Sequence, residues 1–417
     1  MSEWQETEII SKVAATWKEY KLDEIGDFKN GANFNAQAFG FGYPVVNVKH
    51  LYKGRYAELD NLDEVKTETI KKIDDYELRN NDLLFARSSV TLEGTGQVTM
   101  VNNLPNRKFI FSGFIIRFRC TSSNVNSSFL SYLLRTKYYK EHFVNIAAGT
   151  SIINLSQDTL KKISVYLPDV EEQKSIASVL SSLDDKIDLL HRQNTTLERM
   201  AETLFRQWFV EEAQEDWEEK RIGDLVKVID NRGKTPPYSD IPSLCPLIEV
   251  NALTGNNRLV DYSVIRKFVD EQTFKTWFRG HPKKYDSLIS TVGSIGEISM
   301  FLVEKGSIAQ NVIALSAVNI CPVYLFEALK NIKDELKELD IGSVQPSIKV
   351  PHLLSLKIKI PSKDKIHNFS VIVKSYLEKM IVNYQQIQTL EKLRDNLLPK
   401  LMSGDVRVMI ENEEKAA

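Results

Sequence analysis

The stretch LSSLDDKIDLLHRQNTTLERMAETLFRQW, residues 180–208, decides the architecture. Its seam runs Leu180, Leu183, Ile187, Leu190, Asn194, Leu197, Ala201, Leu204 and Trp208, in steps of three and four. Such spacing lays one stripe along a helix and marks a coiled-coil heptad, here with a single polar interruption. The helix reads from 170 to 212, and the quoted seam would extend about 42 Å at 1.5 Å per residue. A second seam follows near the C-terminus: Val373, Tyr376, Met380, Asn383, Ile387, Leu390, Arg394, Leu397 and Leu401. It too contains one asparagine. Pro399 is expected to kink or end that helix, and Ser403-Gly404 to stop it.

Two seams in one chain can pair with each other, and the long stretch between them permits either orientation. An antiparallel pair would give a pseudo-two-fold molecule with one globular unit at each end. Asn194 and Asn383 would then either set the register, as polar seam residues can, or sit at a solvated edge.

Working outward from the seam, the chain repeats itself. Ile25-Gly26-Asp27 recurs as Ile222-Gly223-Asp224. Tyr43-Pro44-Val45-Val46-Asn47-Val48 recurs as Cys245-Pro246-Leu247-Ile248-Glu249-Val250. Asp82-Leu83-Leu84, ahead of Gly94 and Gly96, resembles Asp286-Ser287-Leu288-Ile289, ahead of Gly293 and Gly296. From Gly149 onward one offset holds without a gap: Gly149 meets Gly342, Pro168 meets Pro361, Leu197-Glu198 meets Leu390-Glu391, and Leu204 meets Leu397. A register that never slips asks for a geometric constraint such as a long helix.

The segments ahead of each seam mix strands and helices. Strands are expected at 45–48, 82–86 and 114–118, and a helix at 129–146. The second copy repeats the order, with strands at 247–250, 287–290 and 312–315 and a helix at 323–339. The expected fold is therefore α+β: two α/β domains in tandem pseudo-repeat, each followed by a long helix, the two helices pairing as an antiparallel coiled coil. The expected boundaries are 1–168, 169–214, 215–361 and 362–417.

A chain of 417 residues suits several domains rather than one. Hydrophobic residues at 42% and charged residues at 26% exclude a disordered or fibrous chain. No apolar run approaches the ~18 residues of a membrane span. The acidic start, Met1-Ser2-Glu3-Trp4-Gln5-Glu6, lacks the pattern of a secretory signal. Cys120, Cys245 and Cys321 lie too far apart for a disulfide framework or cysteine zinc spacing. Together these features place the chain in a reducing cytoplasm. The net charge of −2 conceals a small basic excess in 17–168 and in 217–361, set against an acidic 169–214. That permits local phosphate contacts without demonstrating them.

Catalytic signatures fail one by one. Thr235-Pro236-Pro237-Tyr238 resembles an amino-methyltransferase loop, but Thr235 lacks the side-chain carbonyl that must accept from the target amine. In Pro168-Asp169-Val170-Glu171-Glu172-Gln173-Lys174 the carboxylates share one helical turn, whereas nuclease carboxylates sit on two strands. Asp169 and Glu172 suit the first turn of a helix instead. Gly233-Lys234-Thr235 lacks the upstream glycine of a phosphate loop. The six histidines show no metal-ligand spacing, and no Gly-x-Ser-x-Gly elbow is present. The chain is read as non-catalytic, with no cofactor of its own.

The run Leu167-Pro168, Glu172-Gln173, Ile176-Ala177, Leu180, Leu183-Asp184, Ile187, Leu197-Glu198 and Leu204-Phe205-Arg206-Gln207-Trp208-Phe209 resembles the central conserved region of type I restriction–modification specificity subunits. The string Leu393-Arg394-Asp395-Asn396-Leu397-Leu398-Pro399-Lys400-Leu401-Met402-Ser403-Gly404, with Val406-Arg407-Val408, resembles that family's second conserved region. The resemblance covers the whole chain. It departs at Pro361-Ser362-Lys363-Asp364-Lys365-Ile366, where the second copy lacks the Glu-Gln.

The resemblance implies two target recognition domains, each reading one half of a split, asymmetric double-stranded DNA site. It implies helices that space the two domains and dock two methyltransferase subunits. Those partners would bring S-adenosylmethionine, and translocase/nuclease subunits would bring ATP and magnesium. Base reading needs Arg, Lys, Asn, Gln or hydroxyl groups on loops, while phosphate contacts only position the protein. The candidates are Lys29, Asn30, Arg87, Ser88, Ser89 and Thr91 in the first domain. In the second they are Asn231, Arg232, Lys234, Thr235, Ser294 and Gln345. Trp208 and Phe209 could anchor a partner subunit, although Trp208 also suits the seam. A coiled-coil adaptor joining two ligand-binding domains is the alternative, and a fused modification enzyme a weaker one.

Overall fold

The computed structural model describes residues 16–52, 54–88, 94–148, 154–233, 235–254, 258–303, 305–342 and 344–408. The chain divides into two compact units, 1–189 with 387–417, and 190–386. Each unit therefore takes an α/β body together with a part of both long helices.

In the first unit the strands are β1 (Lys18–Lys21), β2 (Gly26–Asn30), β3 (Gly42–Val46), β4 (Glu64–Lys66), β5 (Leu83–Ala86), β6 (Val98–Met100), β7 (Ile110–Phe111), β8 (Ile115–Cys120) and β9 (Ser164–Leu167). They form an antiparallel sheet ordered β2-β8-β5-β6, a smaller sheet β4-β3-β7, and the pair β1-β9. Helices α1 (Ser127–Leu134) and α2 (Lys137–Ala148) follow β8, and α3 (Val170–Arg206) follows β9.

The second unit reproduces this plan with β10 (Glu218–Arg221), β11 (Val226–Asp230), β12 (Leu247–Ile248), β13 (Ser287–Ser290), β14 (Ile298–Met300), β15 (Ser307–Ile308), β16 (Val312–Ala317) and β17 (Lys357–Ile360). Its sheets are β11-β16-β13-β14, β12-β15 and β10-β17. Helix α4 (Pro322–Asn331) stands where α1 stood, and α5 (Lys363–Met402) stands where α3 stood.

Five expectations need correction. The strands expected to reach Val48 and Val250 stop at Val46 and Ile248, and short 3₁₀ turns begin there. Asn47 causes the first stop: its side chain accepts from the Val48 N–H, and its own N–H donates to His50 Nδ1. The helices expected over 129–146 and 323–339 both break. Arg135 leaves the first to donate to the carbonyls of Gly54 and Val98, and Ile332 interrupts the second. Pro399 does not end α5: the helix runs on to Met402. Proline there forgoes only one late hydrogen bond, and Gly404, at φ +70°, supplies the left-handed turn that stops the helix.

The seam also drifts. Leu180, Ile187, Leu190, Asn194 and Ala201 are buried and Leu183, Leu197 and Leu204 only half-buried, while the off-seam Asp184, Phe205 and Phe209 are buried too. In α5, Met380, Asn383 and Ile387 are buried, whereas Leu390 and Leu397 are half-exposed. A helix of 3.6 residues per turn walks off a strict seven-residue stripe, and neither helix is pulled back onto it. Phe209 is not an exposed anchor: it lies among Phe205, Tyr324, Phe369 and Trp217, with Trp208 beside it.

Within each unit the two helices run antiparallel. In the second, Asn194 faces Asn383 while Phe205 lies on Phe369. In the first, Asp184 bonds Arg394, while Leu180 shares a core with Leu401 and Met402. Asp169 caps α3 by accepting from the Glu172 N–H at 2.8 Å. Gln173 is buried and ties α3 to the start of α1, donating to Asn124 and Pro168 carbonyls and accepting from the Asn126 N–H. Ile366 occupies the corresponding place in α5 and joins the second core instead.

Each body also presses a buried arginine onto the helices. Arg55 stacks on Tyr132 and donates to Tyr132 Oη and Ser181 Oγ, and Tyr132 donates onward to Asp184 at 2.5 Å. Arg258 occupies the same backbone position, since the carbonyls of Arg55 and Arg258 accept from the Met100 and Met300 N–H groups. It is wholly buried and pairs with Glu327 and with the Glu198 carbonyl.

Two stability predictions follow from these contacts. Asn383 Nδ2 donates to Asn194 Oδ1 at 2.8 Å in a buried setting. Asn383→Leu should cost ~1–3 kcal/mol by stranding Asn194, and the Asn194→Leu/Asn383→Leu pair should recover most of it. Urea titration of all four forms of the cycle measures this. Glu327→Leu should cost about 3–5 kcal/mol by leaving the buried Arg258 guanidinium with only the half-exposed Glu202 carboxylate, 3.9 Å away, and adding Arg258→Met should restore most of the loss. The urea midpoint read by Trp208 and Trp217 fluorescence checks it.

Candidate nucleic-acid interface

Several of the predicted residues lie at one end of each four-stranded sheet. In the first unit β8 lies between β2 and β5. Gly31, just past β2, donates its N–H to the Ile115 carbonyl, and Arg87, just past β5, donates to the Phe114 carbonyl. Asn30 and Arg87 are thereby brought to the same rim. With Ser156, Gln157 and Asp158 they line a cleft of about 330 Å³. Arg87 is aimed by Asn154, whose Oδ1 accepts from Nε at 3.2 Å, and by the Gly113 carbonyl at 3.4 Å.

The cleft offers guanidinium and amide donors beside amide, hydroxyl and carboxylate acceptors. That mixture matches the donor and acceptor edges of base pairs in a major groove. Ser88 is half-exposed next to Arg87. Lys29 lies outside the cleft: it pairs with Asp75 at 3.5 Å and sits over the Tyr76 ring. Ser89 and Thr91 lie outside the described residues.

In the second unit Asn231 and Arg232 follow β11 at the matching rim. Asn231 braces a neighbouring loop, donating to the Gly280 carbonyl and accepting from the Arg279 N–H. Arg232 is held by Asp230 through contacts of 2.5–3.0 Å. Burial raises the Asp230 carboxyl, the Arg232 bonds outweigh it, and the net shift is downward. The same side-chain bond raises the guanidinium. Thr235 is exposed, and Lys234 lies outside the described residues. Ser294 and Gln345 are exposed and close together, because Gln345 lies against Gly293 and Gly293 donates its N–H to the Pro346 carbonyl.

Residues that sequence reasoning missed share this rim. Phe114, 56% exposed, heads β8 between Asn30 and Arg87, and Arg279 reaches the Asp230 carbonyl at 3.5 Å. Only strand order brings them there, so no linear motif could have marked them. Among the described residues no cluster of three or more His, Cys, Asp or Glu could hold a metal ion, and no helix is long and apolar enough to cross a membrane.

The profile of the type I restriction modification DNA specificity domain matches residues 15–199 and again 214–392. The chain belongs to that family. The MjaIX specificity subunit of a type I restriction enzyme from Methanocaldococcus jannaschii is 27% identical, over 98% of this chain and 97% of its own length. The HindI specificity subunit from Haemophilus influenzae is 24% identical, over 94% and 99%. The crystal structure of the type I S subunit from M. genitalium shares the fold, with a TM-score of 0.61 and 18% identity over 93% of this chain and 96% of that one. Both halves of this specificity-subunit chain thus carry the DNA specificity domain, and the adaptor alternative finds no support.

Arg87 is the arginine that lines this first-unit cleft. Arg87→Ala in the assembled enzyme should weaken binding to the target duplex by ~1–3 kcal/mol and leave non-specific binding unchanged. Competition against scrambled duplex at several salt concentrations measures both.

Proposed function

We propose that this chain is the DNA-reading subunit of a type I restriction–modification complex and performs no covalent step itself. Each α/β unit reads one half of a split, asymmetric site through the rim residues of its four-stranded sheet. The observation that carries this reading is that both units gather polar and charged side chains at the same sheet end, with different residues in each. Asn30 and Arg87 line one rim, whereas Asn231, Arg232, Ser294 and Gln345 mark the other. Equivalent placement with unequal chemistry suits two unlike half-sites.

The long helices space the two reading units and dock two methyltransferase subunits. S-adenosylmethionine then belongs to those partners, and ATP and magnesium to translocase/nuclease subunits. The complex works in the cytoplasm on double-stranded DNA. The modest charge of this chain is consistent with partners supplying much of the phosphate clamp.

Genome-wide adenine methylation tests the reading. Co-expression with the neighbouring methyltransferase should produce one split motif that is absent without this chain. Replacing residues 17–168 with those of an active relative should change one half of the motif only. An assembled complex that adds no methylation, with or without the replacement, would overturn the assignment.

A further inference from the structure

Each unit holds an apolar loop tip in solvent at the same topological position, just ahead of β3 and of β12. In the first unit Phe41 is 95% exposed and Phe39 is 42% exposed. The backbone around them is not loose. Gly40 donates its N–H to the Glu64 carbonyl, and Gly42 donates to Glu64 Oε2 at 2.8 Å. A side chain at Gly42 would meet the Val65 carbonyl oxygen at 2.1 Å, so the chain there is pressed against β4.

In the second unit Ile241 is 75% and Leu244 78% exposed. Their tip is likewise pinned on both sides. Ser239 and Phe268 exchange backbone hydrogen bonds, and Ser243 Oγ donates to the Val269 carbonyl. Two sequence-unrelated tips, each rigidly held and each apolar, are therefore presented at equivalent places.

We infer that these tips are wedges that enter the DNA base stack beside each half-site. Three observations favour DNA as the occupant. The first tip is continuous with the candidate rim. Arg87 reaches the Gly113 carbonyl, Gly113 abuts Asn33, and the next residue, Phe34, packs edge-on against Phe39. Cations flank both tips: Lys66 reaches over Gly40 to the Gln37 carbonyl, Arg107 donates to the Gly42 carbonyl while paired with Glu64, and Lys267 sits over the Tyr238 ring while paired with Glu249. The two tips also differ in residue type. Two copies of one protein partner would ask for like surfaces, whereas two unlike half-sites do not. Apolar wedges of Phe, Leu and Ile are the side chains that proteins insert between base steps.

This inference rests on the DNA-reading assignment. The test uses the assembled enzyme on the duplex that carries its methylated motif, with 2-aminopurine placed at successive steps. Unstacking should raise the fluorescence at one step near each half-site. Phe41→Ala should abolish the rise beside one half only and weaken binding about tenfold, with the salt slope unchanged. Ile241→Ala with Leu244→Ala should do the same beside the other half. Phe41→Trp should retain both signals.

Wild-type preference for the motif with no fluorescence change, or with Phe41→Ala bound within twofold of wild type, would overturn the wedge alone. Loss of methyltransferase assembly in these variants would also overturn it, by making the tips a protein contact. No preference of the wild-type enzyme for its motif would overturn the DNA-reading assignment and the wedge with it.

Discussion

Neither α/β body closes its core without both long helices. The first core takes Ile176, Ala177 and Leu180 from α3 and Leu401 and Met402 from α5. The second takes Ala201 and Phe205 from α3, Phe209 from the helical turn Gln207–Glu211 that follows it, and Phe369, Val373, Leu377 and Met380 from α5. Each body is therefore sealed partly by a helix that belongs to the other copy of the repeat. Such contacts close loops of some two hundred residues, so they are costly to form early and must be repaid by extensive apolar burial. The unbroken offset from Gly149 onward has its physical reason here. An insertion in either helix would rotate every later side chain off the body it seals.

The seam was legible because a heptad repeats, and the tandem plan was legible because the strands recur in order. What sequence hid was which seam neighbour is buried. Period 3.5 predicted Leu183, Leu204 and Leu390 inside, whereas Asp184 and Phe205 are buried. Asp184 is acceptable there only because Tyr132 and Arg394 both donate to it, and neither partner is near it in sequence. The helix breaks at Arg135 and Ile332 were invisible for the same reason. The rim was partly legible: turns after strands nominated Asn30, Arg87, Asn231 and Arg232. Only the strand order β2-β8-β5 revealed that Phe114 lies between Asn30 and Arg87.

The two copies keep geometry while exchanging chemistry. Arg55 leans on Tyr132, whereas Arg258 meets Glu327, so one arginine is satisfied by hydroxyls and the other by a buried charge. Gln173 gives way to Ile366 at the start of the second long helix. Asp82 is gripped by Arg119 through two bonds of 2.7 Å, while the matching Asp286 meets Ser316. Burial pushes the Asp286 carboxyl up, against the opposing pull of the Lys283 N–H and the Ser316 hydroxyl. Buried polar contacts are tolerated only when each partner is satisfied, so such exchanges must change both members together.

That coupling separates two kinds of position. Residues that dock a body onto the helices are tied to a partner far away in sequence and cannot vary alone. Residues on the sheet rim contact loops of their own body: Arg87 leans on Asn154, Arg232 on Asp230, and Asn231 on the 279–280 loop. A rim can therefore be rewritten within one domain while the helical frame stays as it is. For a chain that carries two DNA specificity domains on one repeated fold, this is the division of labour that the packing itself enforces.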